Sequence, residues 1–556
     1  MSKYSIGIDF GSLSARGILV DISDGREMVV SEYEYPHAVI EDRLPGGVIL
    51  PKGWALQDPE DYLFCIKKIV KEILKTSGTA PKDIIGIGID FTSNTFLPVD
   101  SSGEPLCKLD KWKNDPHSWV KMWKHNNTQE YAERIQAVAE QRNEGLLKNY
   151  GGNISPSWMI PRLLEVLEQD PELYYATDRF IEAGDWLVSQ LVGAERRSES
   201  MAGYKAFWDK NKGYPSEEFF AALNPNFRDV VKEKLSHILY PVGSRVGCLC
   251  EKGIALTGLT DTTAVAAASI DAHVSMIPFD HSCSGDLLLV IGTSTCHLMV
   301  SPSRKFVFGA CGIVEDGIIP GMTGYEFGQN CVGDCFGWFI DNCVPESYSV
   351  NAKKEGVSLH QYLTLLAENV PAGSNGLLAL DWWNGNRSVL CDYDLTGMIL
   401  GLSIHTKPED IYRALIEATA FSSRKIVESL EESGVTVNRI YACGGITTKN
   451  SMLMQIYADV LKKDIYRANS ENIPALGSSI LGALAAGKQA GGYDDLNDAV
   501  DHMGDRNQKV YKTNPDNHTI YDNLYVEFEK IHDYFGLGTN PVMKKLKQLR
   551  PNRNVK

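Results

Sequence analysis

The stretch YSIGIDFGSLSARGILVD, residues 4–21, predicts a β-hairpin with a polar tip. An apolar run ends at one carboxylate, Asp9, and a Gly-Ser turn leads into a second apolar run, a pattern typical of two strands joined by a tight turn. Backbone N–H groups in such a turn form an anion-binding concavity, to which Ser12, Ser14 and Arg16 add hydroxyl donors and a positive charge. Asp9 cannot bind phosphate directly, but its carboxylate can hold a hydrated Mg²⁺.

A second hairpin of the same kind is predicted by LLLVIGTSTCHLMV, residues 287–300. An apolar run again meets a turn of glycine and hydroxyl residues, here Gly292, Thr293 and Ser294, which has no positive charge of its own. Taken singly, either turn is explained by an ordinary hairpin. Two such turns and one carboxylate together favour a site for a polyphosphate bound with Mg²⁺.

The segments that follow the two hairpins are also similar. Residues 59–76 and 408–434 both begin Pro-Glu-Asp, which suits the positive end of a helix dipole, and an apolar strand follows each at 83–94 and 438–450. The apolar positions at helical spacing in the first helix are Phe64, Ile66, Ile69, Val70, Ile73 and Leu74. The repeat predicts an α/β fold of two duplicated domains facing each other across a cleft, although any two α/β domains share this much pattern.

The length of the chain also requires more than one domain. A single hydrophobic core does not serve 556 residues, and the segment near residues 272–286 has the Pro, Gly and Ser of a connection. We therefore expect an N-terminal domain at residues 1–280, a C-terminal domain at 281–491, and a charged C-terminal extension at 492–556 with a helix near 519–535.

A third polar turn follows the second predicted strand, in CGGITTKN at residues 443–450. Gly444 and Gly445 permit a flat ligand to approach the backbone closely, and the start of the next helix adds N–H donors. By contrast, GALAAGK at residues 482–488 resembles a P-loop but is followed by Gln489 instead of Ser or Thr and ends an Ala-rich helix. We expect Gly487 to be a helix C-cap.

Composition excludes several classes of function. The net charge of -16 disfavours a nucleic acid or an anionic membrane as partner, and no apolar run is long enough to cross a bilayer. The N-terminus lacks the pattern of a signal peptide, and none of the twelve cysteines forms Cys-x-x-Cys, so we expect free thiols in a reducing cytoplasm. The histidines show no paired metal spacing, and no zinc site is assigned.

An acid near the predicted boundary is a candidate general base. Asp271, in SIDAHVS beside His273, would lie near the cleft, and transfer of a phosphoryl group to an alcohol needs a base on the acceptor hydroxyl. The plain alternative for Asp271 is a helix or turn cap. Asp261, in GLTDTTAVAAA, is a rival base, but its place before an alanine run suits a helix N-cap better.

Several of these stretches together resemble the FGGY carbohydrate kinases. They are the hairpins GIDFGSLSARGILVD and IGTSTCHLMV, the run DLTGMILGLSIHTKPEDIYRALIEATAF and the turn CGGITTKN. Within the family, IDFTSN, SWMIPRLLEV, SIDAHVS, GTSTCH and GYEFGQNCVGD are most similar to members that act on L-ribulose. The resemblance implies two actin-like, ribonuclease H-like domains with a nucleotide- and sugar-binding cleft. It also implies ATP-dependent phosphorylation of a ketopentose, most simply L-ribulose to L-ribulose 5-phosphate in L-arabinose catabolism.

Site residues follow from the resemblance, position by position. It implies that Asp271 is the catalytic base and also contacts the sugar, and that Asp9 lies near Mg²⁺. The other sugar contacts it implies are Thr92, Ser93, Lys205 and Glu326, although Ser93 is a position where we expect variation. The ATP contacts it implies are Gly11, Ser12, Ser14 and Arg16 in the first hairpin, Gly292, Thr293 and Ser294 in the second, and Gly444, Gly445 and Asn450. By analogy alone it also implies a homodimer.

Other functions stay open at the level of sequence. A related kinase acting on D-ribulose, xylulose or a pentitol fits the same motifs. An actin-like or chaperone-type ATPase without sugar transfer is a different class, disfavoured by the candidate sugar contacts in residues 85–330 and by the lack of a client-binding module after residue 492. A non-enzymatic sugar sensor is disfavoured because Asp271 is present.

Overall fold

The computed structural model describes residues 2–125, 127–280 and 284–549. In these ranges the strands are β1 (Tyr4–Phe10), β2 (Ser14–Asp21), β3 (Glu27–Glu34), β4 (Leu56–Gln57), β5 (Ile84–Phe91), β6 (Phe96–Val99), β7 (Val120–Lys121), β8 (Arg179–Glu182), β9 (Arg197–Ser198), β10 (Leu239–Tyr240), β11 (Arg245–Cys248), β12 (Ala264–Ala266), β13 (Ser269–Ile270), β14 (Asp286–Ile291), β15 (Thr295–Ser301), β16 (Gly312–Glu315), β17 (Thr323–Gln329), β18 (Leu378–Leu380), β19 (Met398–Leu400), β20 (Arg439–Cys443), β21 (Ile465–Arg467) and β22 (Lys509–Tyr511). The helices are α1 (Pro59–Ser77), α2 (Gln129–Arg142), α3 (Met159–Gln169), α4 (Pro171–Ala176), α5 (Ala183–Val192), α6 (Glu199–Lys205), α7 (Glu217–Leu223), α8 (Val230–Lys234), α9 (Glu251–Thr257), α10 (Asp271–Val274), α11 (Gly333–Cys343), α12 (Glu346–Glu355), α13 (Leu359–Glu368), α14 (Pro408–Glu432), α15 (Gly445–Lys449), α16 (Ser451–Leu461), α17 (Ile473–Ala486), α18 (Leu496–Met503), α19 (Pro515–Gly536) and α20 (Val542–Leu549). None of these helices is long and apolar enough to cross a membrane.

The predicted repeat of hairpin, helix and strand is confirmed in two separate sheets. The first sheet has the order β11-β12-β5-β1-β2-β3, with β13 also beside β5, and the second has the order β16-β17-β15-β14-β20-β21-β22. In each sheet the hairpin is antiparallel and its first strand pairs in parallel with the strand after the long helix, β5 or β20. The fold is therefore the predicted α/β arrangement of two duplicated domains.

The first sheet is centred on two copies of one pentapeptide. The sequence IGIDF occurs at residues 6–10 in β1 and at residues 87–91 in β5. The two strands are parallel and in register, so that Gly7 lies beside Gly88 and Asp9 lies beside Asp90. The isoleucines of both copies are buried in the first hydrophobic core. The pairing brings two carboxyl groups to the same end of two neighbouring strands.

The glycines of these strands are needed because a helix from the far end of the chain packs against them. A Cβ atom on Gly7 would lie 1.8 Å from the carbonyl oxygen of Ala475, and one on Gly88 would lie 1.9 Å from that of Ser478, both in α17. The hydroxyl of Ser5 in β1 also donates to the carbonyl of Ser479 at 2.8 Å. After completing most of the second sheet, the chain therefore returns to close the core of the first.

A smaller lobe of the first domain is formed mostly by the segment between β5 and β11, to which the earlier strand β4 is added. Its four-stranded sheet has the order β4-β7-β6-β8, and helices α2, α3 and α7 surround a separate core of aromatic and aliphatic side chains. Helix α6, which ends at Lys205, follows this sheet and leads the lobe back toward the cleft.

The C-terminal segment is part of both domains. β22 forms the edge of the second sheet, and α19 packs Tyr521, Tyr525 and Phe528 into the second core. The helix predicted near 519–535 is confirmed within α19. Helix α18, in contrast, packs Val500 and Met503 into the first core. Residues 550–556 of the predicted extension, and residues 281–283 at the predicted boundary, lie outside the described residues.

Two local expectations are wrong. Phe64 does not share the buried face of α1, since it is 38% exposed and packs beside Tyr33 at the surface. Asp261 is not a helix N-cap, because the alanines that follow it form β12, a strand buried beside β5, and Asp261 itself lies in an exposed turn. Small side chains are favoured in β12 because α17 packs against this strand as well.

The close approach of α17 predicts a large effect of one methyl group. Gly88→Ala should lower the free energy of unfolding by about 3 kcal/mol, the upper end of the range for overpacked cores, because the new Cβ meets backbone atoms that cannot rotate away. Urea unfolding of the full chain measures this.

The matched control for that substitution is Gly337→Ala in α11, where a Cβ would meet no atom within 4 Å. It should be neutral or add about 0.5–1 kcal/mol, because alanine is the better helix former. Equal stabilities of the two variants would contradict the packing of α17 on β1 and β5.

Candidate active site

Three carboxyl groups meet at one edge of the first sheet. Asp9 lies near the end of β1, Asp90 near the end of β5, and Asp271 directly after β13. Because β1, β5 and β13 are parallel neighbours, with Asp9 beside Asp90 and Phe91 beside Ile270, the three acids converge. Asp9 and Asp271 were predicted from sequence to belong to one site, and the topology brings them together.

The first two of these acids are both buried, and burial disfavours their ionised forms. Burial raises the pKa of Asp90 well above its ordinary value, and the charge of Asp9 adds to the shift. Burial also raises the pKa of Asp9, although a hydrogen bond with Asp90 and the charge of Arg16 oppose the shift. The hydroxyl of Ser478 in α17 donates to one oxygen of Asp90 at 2.6 Å, and the other oxygen of Asp90 has no donor among the described residues.

This arrangement fits a hydrated divalent cation. An orphaned carboxylate oxygen beside a second carboxylate offers the hard oxygen ligands that Mg²⁺ prefers, and Mg²⁺ is usually held by one or two carboxylates, with water and phosphate oxygens as its other ligands. Within the described ranges, no three His, Cys, Asp or Glu side chains are grouped closely enough to enclose a metal ion without such outside ligands. Asp9 and Asp90 are therefore the residues suited to hold Mg²⁺.

Asp271 is held by the backbone of the helix that it begins, and its pKa is raised. One carboxylate oxygen accepts from the N–H of Ala272 at 2.7 Å. Burial raises the pKa of Asp271 to about 7, and the charge of Asp9 contributes to the shift. A carboxyl group with a pKa near neutrality exchanges protons readily, which is the property a general base needs.

A buried ion pair joins the two domains next to Asp271. Lys205, from α6 of the first domain, donates from Nζ to both carboxylate oxygens of Glu326, in β17 of the second domain, at 2.7 and 3.0 Å. His273 Nε2 lies 3.2 Å from the same carboxylate. Burial opposes ionisation of Glu326, but the charge of Lys205, the hydrogen bond of His273 and the charge of Arg387 hold its pKa well below the usual value. Burial lowers the pKa of His273, and the hydrogen bond with Glu326 opposes that shift; Nε2 is the donor of this bond, because an ionised carboxylate can only accept.

Thr92 and Ser93 follow β5 directly and lie at the same edge. Phe91 pairs with Ile270, and Thr92 and Asp271 are the residues that directly follow this last pair; the Thr92 side chain is paired with the hydroxyl of Thr95 at 2.9 Å. Ser93 is half-buried, and its carbonyl accepts from Thr95. These are neutral hydroxyl groups next to the candidate base.

The tip of the first hairpin is held by the lobe and by the strand beside it. The carbonyl of Ser12 accepts from Gln57 at 2.8 Å, its hydroxyl accepts from Trp123 at 2.9 Å, and the carbonyl of Gly11 accepts from Tyr35 at 2.9 Å. The Gly11 N–H donates to the carbonyl of Ser14 at 3.0 Å, so the donors of this turn that suit an anion are the N–H groups of Ser12 and Leu13.

Arg16 and Ser14 share one carboxylate. Arg16 donates from Nη2 to Glu32 at 2.7 Å, and the Ser14 hydroxyl donates to Glu32 at 2.9 Å. Burial raises the pKa of Glu32, but these hydrogen bonds outweigh that effect and keep the pKa below its ordinary value. A phosphate that binds Arg16 or Ser14 has to compete with Glu32.

A cavity of about 380 Å³ brings the first hairpin and the Gly-Gly turn together. Arg16 lines it from the first domain, and Gly444, Gly445 and Lys449 line it from the second. Gly444 has φ +102°, and a Cβ there would lie 2.4 Å from the carbonyl of Ile291, so only glycine fits this turn. The cavity has the concave shape and the backbone donors that a nucleotide requires.

The remaining predicted ATP contacts lie in two different settings. The second hairpin, Gly292 to Ser294, is exposed to half-buried, and its carbonyls accept from the first N–H groups of the segment leading into α11. Asn450 is buried and caps α16, where its side chain accepts from Leu453 at 2.9 Å and donates to Thr364. Asn450 does not line the cavity, so its predicted contact with ATP stays a prediction.

The sequence analysis missed several residues of the site. Asp90 could have been found from the repeated IGIDF, whose first copy was already assigned. Lys449 lies within the predicted turn at residues 443–450, whereas Glu32 lies in β3, a strand beside the predicted hairpin that the sequence analysis did not assign. Arg387 carries no pattern, since it lies in an irregular segment between β18 and β19.

Comparison with known proteins agrees with this geometry. The model of the N-terminal domain of the FGGY family of carbohydrate kinases matches residues 4–277, and the model of the C-terminal domain matches residues 287–486. A ribulokinase of Bacillus licheniformis is 48% identical over 539 residues, covering 97% of this chain and 98% of its own. A ribulokinase of Geobacillus thermodenitrificans is 48% identical over 546 residues, covering 98% and 97%. The crystal structure of a gluconate kinase from Lactobacillus acidophilus has a TM-score of 0.77 at 18% identity, covering 96% of this chain and 99% of that one, and shows the same fold.

The raised pKa of Asp90 predicts a pH-dependent gain in stability for Asp90→Asn. The folded-state pKa of Asp90 is raised, so its contribution to stability is present below the unfolded pKa and is lost as the pH rises through the folded pKa. The amide cannot ionise, so the variant never places a second negative charge beside Asp9, and it can donate to Asp9 a charge-assisted hydrogen bond of about 1–3 kcal/mol. Thermal unfolding without divalent cations should show a gap between variant and wild type that is wider at pH 8 than at pH 5.

The exposed Asp42→Asn is the control for this comparison, and its melting temperature should follow the wild type at both pH values. A gap for Asp90→Asn that does not change with pH would mean that Asp90 is ionised at neutral pH.

Proposed function

The chain belongs to the FGGY family of carbohydrate kinases, and from that premise we propose that its acceptor is a ketopentose, L-ribulose, which it converts to L-ribulose 5-phosphate. As a member of this family it is an ATP-dependent sugar kinase. The choice of a pentulose is supported by the relatives named ribulokinase, which match nearly the whole chain. A role in L-arabinose catabolism follows from that choice of sugar.

The observation that carries the proposal is the cleft itself. At one end the buried Lys205–Glu326 pair lies beside Asp271, and at the other Arg16 and the Gly444–Gly445 turn line a cavity of about 380 Å³. We propose that the sugar binds at the first end and ATP at the second, with the γ-phosphate directed toward Asp271. Thr92 and Ser93 supply neutral hydroxyls there, which suit an uncharged polyol.

The chemistry we propose is an in-line transfer assisted by a base. Asp271 accepts the proton of the acceptor hydroxyl as that oxygen forms a bond to the γ-phosphorus and the bond from the γ-phosphorus to the leaving ADP oxygen breaks. Lys205 and Glu326 orient the hydroxyl and keto groups of the sugar. The turn N–H groups of both hairpins stabilise charge on the phosphates. Bound Mg²⁺, held at Asp9 and Asp90, supplies further neutralisation of that charge.

We also place the enzyme in the cytoplasm. The eleven cysteines within the described ranges are all free thiols, as expected in a reducing compartment. A homodimer remains a proposal by analogy.

The sugar assignment is tested by measuring ADP formation with a panel of pentuloses and pentitols. ATP consumption should rise sharply on adding L-ribulose and give a phosphorylated pentulose as product. Faster turnover of D-ribulose, xylulose or a pentitol would assign that compound as the substrate in place of L-ribulose, within the same kinase family. Indifference to every sugar on the panel would favour an ATPase without sugar transfer.

The base assignment predicts that Asp271→Asn lowers kcat by about 10²–10⁴-fold, the usual contribution of a general base, and leaves ATP binding within about twofold. In the wild type, kcat/KM for the sugar should rise with pH and level off above an inflection near 7, because only the ionised carboxylate accepts a proton. Initial rates between pH 5.5 and 8.5 measure both.

Asp261→Asn is the matched control, since Asp261 is an exposed aspartate ten residues away in the chain, and it should turn over as the wild type does. Wild-type turnover in Asp271→Asn would refute the role of Asp271 as base.

A further inference from the structure

Glu326 is held from its own domain as well as from across the cleft. Lys205 reaches it from the first domain, but Arg387 Nη2 donates to Glu326 Oε1 from within the second domain. Glu326 lies in β17, and Arg387 lies between β18 and β19. The carboxylate therefore has two cationic partners, of which only Arg387 stays with it if the two domains separate.

The position of Arg387 is built into the sheet. Gly328 follows Glu326 by two residues in β17, so the two share one face of the strand. A Cβ atom on Gly328 would lie 2.7 Å from Arg387 Cδ and 2.7 Å from Nη1. The missing side chain at 328 is what allows the guanidinium group to cross the strand and reach Glu326.

The rest of the guanidinium group packs on sulfur atoms instead of water. Arg387 Nε lies 3.3 Å from Cys311 Sγ, and Nη1 lies 4.0 Å from Cys296 Sγ. Cys296 is the residue that faces Gly328 in the neighbouring strand β15. The Arg387 side chain is only 22% exposed, and its orientation is set by packing on β15, on β17 and on Cys311, the residue just before β16.

Without Arg387, Lys205 alone would have to bind the sugar and also neutralise the charge of Glu326. A sugar hydroxyl that takes hydrogen bonds from Lys205 Nζ weakens the hold of Lys205 on Glu326. A buried carboxylate that loses its counter-charge becomes costly to keep ionised. Arg387 supplies a second counter-charge that the sugar does not need to displace.

We propose that Arg387 is a positioning residue for the sugar: it keeps Glu326 oriented and ionised as a hydroxyl acceptor while Lys205 turns to the substrate. The proposal rests on the proposed function, because it assigns Glu326 to the sugar end of the cleft. Arg387 itself acts through Glu326 and takes no part in proton or phosphoryl transfer.

The experiment compares Arg387→Met, Arg387→Lys and Gly328→Ala with the wild-type full chain in steady-state kinetics. Loss of a charge-assisted hydrogen bond corresponds to roughly 10- to 100-fold, so Arg387→Met should raise KM for the pentulose by that factor and leave KM for ATP within about twofold. Arg387→Lys should restore part of the loss. Gly328→Ala should reproduce the effect of Arg387→Met, since it displaces the guanidinium group without removing it.

Arg413→Met is the matched control, because Arg413 is a buried arginine paired with Glu417 in α14, at 2.8 Å and away from the cleft. It should lower the melting temperature and leave KM for the pentulose unchanged. A KM for the pentulose that is unchanged in a folded Arg387→Met would overturn the proposal, as would an equal rise in KM for ATP.

A second measurement does not depend on turnover. It tests whether Arg387 stabilises the ionised Glu326 even if the wild type phosphorylates no sugar and the proposed function fails. The folded-state pKa of Glu326 is depressed, so its contribution to stability is present above the unfolded pKa and is lost as the pH falls through the folded pKa. The other titratable groups that face it are Lys205, His273, Asp271, Tyr204 and the thiol of Cys296. The melting-temperature gap between wild type and Arg387→Met should be widest near pH 8 and narrow toward pH 4. A gap independent of pH would show that Arg387 only packs, and would overturn the proposal.

Discussion

The parallel, in-register pairing of two IGIDF strands is the constraint on which the rest of this structure depends. It places Asp9 beside Asp90 at one strand end, and it places Gly7 beside Gly88 where α17 has to pass. The same helix donates from Ser478 to Asp90. A slip of one residue in this pairing would separate the two carboxyl groups and present isoleucine side chains to α17 in place of glycine. The core packing and the candidate metal site are therefore consequences of one register.

The cleft contains two neighbouring sets of carboxyl groups whose pKa values are shifted in opposite directions. Near the strand ends of the first sheet, acids crowd together and burial raises the pKa of Asp9, Asp90 and Asp271. At the ion pair, cations from both domains outnumber the single carboxylate of Glu326 and hold its pKa low. One group of carboxyls is thus prepared to take up or release protons or to receive a cation, and the other carboxylate stays charged. Opposite behaviour of like groups a short way apart is typical of sites that carry out acid–base chemistry.

Sequence patterns were sufficient for the parts of the fold that are local. Both hairpins, α1, α14 and the strand ends at Asp9 and Gly444 could be predicted because each is specified by a few consecutive residues. The partners of these elements could not be predicted, because β1 pairs with a strand 81 residues further along the chain and α17 packs on both from 388 to 474 residues away. Asp261 shows the limit in a small case: an alanine run suits a helix by propensity, and tertiary packing makes it a strand. Arg387 lies in an irregular segment between β18 and β19, where the sequence has neither the helical nor the strand periodicity on which such predictions rest.

The return of α17 to the first sheet has a consequence for how the protein is made. While a ribosome synthesises the chain, β1 and β5 emerge early, yet the helix that covers their glycine-lined face is complete only at Ala486. Most of the chain has to leave the exit tunnel before the first core is sealed. Until then the glycine-lined face of β1 and β5 stays uncovered, and a gene truncated after the first domain encodes a fragment that lacks the helix closing its core.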